Sequence, residues 1–170
     1  MAKIKTSYEM VKEFHQAFGH PVETAPLTPS VKQMKFRARF LLEEVSEHIL
    51  ALGARKRENQ HLARAVELIE LARNQIAVAL DYEFNDVDMI EVADSLGDLD
   101  YIVNGAALTY GIPLPAITKE IHDSNMTKLG EDGKPIYDDE GKVVKGPGYR
   151  RPILDCILYP AVPEPEREEE

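Results

Sequence analysis

Two sets of carboxylates at helical spacing are the residues of this chain best placed to do chemistry. Glu44 and Glu47 lie three apart with Glu43 beside them, so on a helix the pair shares one face. At about 100° per residue, Phe40, Leu41 and Ala51 fall within about 60° of Glu44, which predicts that both carboxylates sit in an apolar sector. Lys32, Lys35, Arg39 and Ser46 hold the polar sector. Further along, Glu91, Asp94, Asp98, Tyr101 and Gly105 form a stripe at helical spacing, and the run from Tyr101 to Leu108 is apolar nearly all round. That pattern predicts a buried helix whose stripe points inward. Two inward acidic pairs on neighbouring helices repel in a low dielectric unless they are protonated or bridged by a cation. Every donor is an oxygen, so Mg²⁺ or Mn²⁺ fits better than zinc.

A lone ExxE on a helix usually marks a solvated face; it is the coincidence of two such sets that favours a site. A di-iron carboxylate bundle also draws Glu from facing helices, but it needs two ExxH elements. The chain offers only Glu58/His61 in a polar stretch, while His15, His20, His48 and His122 form no ligand pair. The order Arg39, Glu43, Glu44 resembles part of a Nudix box, yet Phe40 and Ser46 stand where that box wants Glu and Gly. With no GxxxxGK[ST] or GxGxxG loop, phosphate must be held by metal and side chains.

The 170 residues carry a net charge of −10, with 44% hydrophobic and 29% charged residues, which suits one globular domain. Asp81 to Asp100 contains eight acidic residues and no Lys or Arg. Such a body is poorly suited to binding a nucleic-acid polymer, which needs a basic face. No apolar run is long enough for a membrane span and the start lacks a signal-peptide pattern, so a cytoplasmic protein is expected. Cys156 is the single cysteine, which removes disulfide frameworks and cysteine-ligated zinc.

Periodicity predicts helices over 7–18, 30–52, 62–80, 87–110 and 115–126, punctuated by Gly19, Gly53 and Gly111. Seven Gly and Pro residues between Gly130 and Gly148 preclude helix there, and Ile136-Tyr137 with Val143-Val144 can form one short hairpin. The fold expected is all-α: a four- to five-helix bundle with an irregular Gly/Pro-rich C-terminal arm. The domain is expected to span 1–155, and 156–170 to form an acidic Pro/Glu tail without fixed structure.

Arg37, Leu41-Leu42-Glu43-Glu44-x-x-Glu47, Asp98-Leu-x-Tyr101-Ile-Val-x-Gly105, and Asn125-Met-x-Lys128 together resemble the MazG-like all-α nucleoside triphosphate pyrophosphohydrolases, over roughly residues 9–149. The resemblance implies a Mg²⁺-dependent homodimer or homotetramer that splits a (deoxy)nucleoside triphosphate into monophosphate and pyrophosphate, as nucleotide-pool cleaning. Carried onto this chain, it implies Glu44, Glu47 and Asp98 as metal ligands and Glu43 as general base. It also implies Arg37 and Lys128 as phosphate contacts and Asn125 as a positioning group, with Tyr101 and Asn104 near the nucleoside. Many relatives read ExxD, and here Ser95 takes the Glu position. Asp94, which shares a face with Asp98, is the preferred replacement, with Glu91 the alternative. The departure leaves open a catalytically silent nucleotide-binding or regulatory oligomer, and within the family the substrate can also be phosphoribosyl-ATP.

Overall fold

A computed structural model describes residues 5–54, 60–79, 87–138 and 143–160. The described residues are helical, with no strand beyond a single bridge, and the chain divides into two compact units. One is formed by residues 1–24 and 94–170, the other by 25–93.

In the first unit, α1 (Ser7–Ala17) starts at a reciprocal cap: the Thr6 side chain accepts from the Glu9 N–H, and the Glu9 carboxylate accepts from the Thr6 N–H. It ends where Gly19 takes φ 61°, a left-handed conformation that a Cβ would penalise. α1 packs on α5 (Leu114–Met126), and the small core contains Met10, Phe18 and Ile117, with Phe18 wholly buried and stacked on Phe14 at 4.1 Å. Pro113 and Pro115 set the start of α5, where a missing N–H leaves no intrahelical bond unmade. α4 (Met89–Thr109) starts in the second unit, at Asp88, whose carboxylate accepts from the N–H groups of Ile90 and Glu91, and from Asp94 onward it belongs to the first. A short α6 (Asp155–Leu158) follows the arm. The hairpin expected in the arm reduces to the bridge Tyr137–Val143, supported by a Val144 N–H to Ile136 C=O bond of 2.9 Å.

In the second unit, Ser30 and Gln33 form another capping box ahead of α2 (Val31–Ile49), which packs on α3 (Gln60–Ala79). The single helix expected over 30–52 instead ends its α-form at Ile49 and widens into a π-helical turn, Leu50–Ala54. The polar stretch 55–59, the acidic segment 81–86 and the tail from 161 onward lie outside the described residues.

One burial expectation is corrected. The apolar end of α4 is exposed: Tyr101 and Leu108 are each 82% accessible, Ile102 64%, and only Ala107 is buried. Within their unit α1 packs on α5, while Tyr101, Ile102 and Leu108 of α4 stay open. An all-round apolar helix needs neighbours on every side, and its sequence does not say where they come from.

Candidate active site

α2 puts Glu43, Glu44 and Glu47 within one helical turn and a half. Their closeness is felt electrostatically: Glu44 is held above the usual carboxylate value, first by desolvation, then by repulsion from Glu47 and Glu43. Glu44 and Glu47 still reach solvent, so the desolvation is partial. Glu43 is half-buried, and its Oε2 is enclosed with no hydrogen-bond partner among the described residues. The Arg37 guanidinium lies 5.7 Å from the centre of the Phe36 ring, which meets Phe40 edge-on at 4.6 Å.

The polar sector expected on this helix is corrected at one position. Ser46 is 4% exposed and its Oγ is enclosed without a partner among the described residues, whereas Leu41 and Val45 are 47% and 44% exposed. A helical wheel gives the separation of faces, but the packing neighbour decides which of them is covered.

In the other unit, Asp94 and Asp98 sit four apart on α4, both exposed, with Tyr101 one turn further on. The Asn104 amide turns back on its own helix and donates to the Asp100 carbonyl at 2.8 Å. Asn125 is half-buried in the last turn of α5, and its carbonyl accepts from the Lys128 N–H at 3.1 Å, so the two residues share one turn. Within either unit, no three described His, Cys, Asp or Glu side chains converge on one metal position. Residues around Asn125 that sequence reading passed over, Ser124, Thr127 and Gly146, are tied into the arm. The signal for them was small hydroxyl residues flanking Asn125 together with the Lys-Gly-Pro-Gly-Tyr glycines.

The family described as phosphoribosyl-ATP pyrophosphohydrolase matches residues 11–125. The chain belongs to that family. Its match spans α1 to α5 and so takes in the α2 carboxylates, the α4 stripe and Asn125. Among solved structures, the chain is similar to a candidate NTP pyrophosphohydrolase from Exiguobacterium sp. 255-15 at 27% identity, with a TM-score of 0.67, over 88% of this chain and 90% of that one. No functionally curated protein matches. This phosphoribosyl-ATP pyrophosphohydrolase-family protein is thereby placed, with its MazG-like relatives, among all-α hydrolases acting on phosphoric anhydrides. No described helix is long and apolar enough to cross a membrane.

Hydrolases of this superfamily commonly use divalent metals, and the α2 residues fit such a group. Glu44 is held above its usual value by burial and by Glu47 and Glu43 beside it, and the Oε2 of Glu43 is enclosed without a hydrogen-bond partner among the described residues, so oxygen donors gathered in this way suit a hard cation.

Proposed function

We propose that the chain is a Mg²⁺-dependent nucleoside triphosphate pyrophosphohydrolase, acting on deoxynucleoside triphosphates in the cytoplasmic nucleotide pool. The observation that carries the proposal is the clustering of Glu43, Glu44 and Glu47 on α2, with Glu44 held above its usual value by burial and by the other two, in a chain that belongs to a pyrophosphohydrolase family. Glu44 and Glu47 would hold Mg²⁺, or Mn²⁺ in its place, and Asp94 and Asp98 are proposed as metal ligands as well. When bound, the ion draws charge from the α-phosphate and steadies the pyrophosphate leaving group.

Glu43 takes the proton of the attacking water. Its Oε2 has no competing hydrogen bond among the described residues, which leaves that oxygen free to accept. Arg37 and Lys128 bind phosphate oxygens, Arg37 through a planar fork and Lys128 as a point charge. Asn125 orients the phosphate chain from the turn it shares with Lys128. Tyr101 and Asn104 meet the nucleoside. A second copy of the chain covers the exposed apolar end of α4, in a homodimer or a pair of dimers, since Ile102, Val103 and Leu108 are large apolar side chains left open there.

The deciding experiment is pyrophosphate release from a panel of ribo- and deoxynucleoside triphosphates with Mg²⁺ or Mn²⁺. The panel includes phosphoribosyl-ATP, the substrate in the description of the matching family. Turnover at Mg²⁺ with Glu43→Gln inactive supports the reading. Nucleotide binding without product, and no effect of Glu43→Gln on binding, would instead identify a silent regulator.

A further inference from the structure

The C-terminal arm is stapled to the end of α5 by groups that bracket Asn125 and Lys128. Ser124, 2% exposed, donates its hydroxyl to the Arg150 carbonyl at 2.8 Å. Thr127 Oγ1 accepts from the Arg150 N–H at 3.0 Å and donates to the Ser124 carbonyl at 2.7 Å. Both backbone polar groups of Arg150 are therefore satisfied by side chains standing on either side of Asn125-Met126. The Arg150 guanidinium pairs with Glu120, whose Oε1 also accepts from the Ile153 N–H at 2.9 Å.

Gly146 closes the staple on the far side. Its N–H donates to the Lys128 carbonyl at 3.2 Å, and a Cβ at this buried position would lie 2.7 Å from the Leu129 carbonyl oxygen and 3.0 Å from that of Lys128. Both neighbours are backbone, so neither can rotate aside. A staple serving only to hold the arm down could bond anywhere along α5. Here the bonds from Ser124, Thr127 and Gly146 gather on the turn that carries Asn125 and Lys128.

We propose that Ser124, Thr127 and Gly146 are positioning residues for Lys128 and Asn125, so that the arm fixes the backbone from which the phosphate-binding groups project. The inference rests on the reading of Lys128 as a phosphate contact. A lysine ammonium rides on a flexible four-carbon stem, so placing its charge in advance depends on holding its Cα still.

The test uses the full chain with Mg²⁺ and the deoxynucleoside triphosphate it turns over best. Thr127→Val keeps the shape and removes both hydroxyl bonds, Thr127→Ser keeps the hydroxyl, and Gly146→Ala drives a methyl into the Lys128–Leu129 backbone. Thr6→Ala, which weakens only the cap of α1, is the stability control. Thr127→Val and Gly146→Ala are expected to raise KM about tenfold with kcat within about twofold of the parent. Thr127→Ser should restore KM, and Thr6→Ala should lower Tm without moving it. If Gly146→Ala does not fold, the Thr127 pair decides. An active parent whose KM rises in Lys128→Ala but not in Thr127→Val overturns the inference alone. An active parent indifferent to Lys128→Ala overturns it as well, and a parent without turnover on any nucleotide overturns both this inference and the functional reading beneath it.

Discussion

The Tyr137 hydroxyl donates to the carbonyl oxygen of Phe18, tying the arm to the C-terminal end of α1 across 119 positions of sequence. Phe18 is the largest fully buried side chain of the described core, and the tie reaches its backbone just where the helix stops at Gly19. Replacing Tyr137 by Phe leaves the ring and removes the donor, so a loss of about 1 kcal/mol is expected in urea unfolding, with helix content unchanged. An unaltered midpoint would show that the arm does not depend on this bond.

Glu44 supplies a prediction with opposite signs in the absence and presence of metal. Its carboxyl is raised by burial and by Glu47 and Glu43, so the folded state favours the protonated form. The stability Glu44 contributes is full below its unfolded pKa and is lost as pH rises through the folded one. Without metal, Glu44→Gln is therefore expected to raise Tm at pH 8 and to change it little at pH 4. With Mg²⁺ added, the parent should gain Tm and the variant should gain much less. A parent that gains nothing from Mg²⁺ or Mn²⁺ would count against a metal at these residues.

Glu43 is separable from its neighbours by kinetics. As general base it should cost on the order of 10² to 10⁴ in kcat when changed to Gln, with KM held within a few-fold, because proton transfer belongs to the transition state. A matched loss in KM would mean that it binds substrate instead.

Glu120 is held below the usual carboxylate range, first by its hydrogen bond from Arg150 and then by the Ile153 N–H. Its contribution is present above the unfolded pKa and fades as pH falls through the lowered one. A Tm series from pH 7 down to pH 3 should show the parent losing stability faster than Glu120→Gln, which starts lower and has less to lose.

For α4, Leu108→Glu places a charge on a side chain that is 82% exposed in the single chain. If a second copy covers that face, sedimentation should report the parent above its 19.1 kDa chain mass and the variant at it. A parent that sediments as one chain would leave α4 without the neighbour proposed for it.

Much of the fold was legible because it is local. Spacing of apolar residues and the Gly19 and Gly111 stops are written within a few positions of where they act, and each predicted helix lies within a few residues of an observed one. The acids on α2 were legible for the same reason, since three residues within five positions must share a neighbourhood on any helix. Even so, 3.6-residue periodicity could not say that Ser46 would be enclosed while Leu41 and Val45 stayed open, nor that the apolar end of α4 would be left exposed. Those outcomes depend on which partner a face receives.

What the sequence determined by itself was the helical character, the closeness of Glu43, Glu44 and Glu47 on one helix, and membership of the family whose match runs over residues 11–125. Tertiary structure alone decided that Arg150 would satisfy its backbone on Ser124 and Thr127, and that Gly146 would press on the carbonyls of Lys128 and Leu129. Those pairs stand some twenty residues apart in the chain. No local preference links them; they meet only because the arm returns to α5 and must bury its polar backbone against something that can accept and donate.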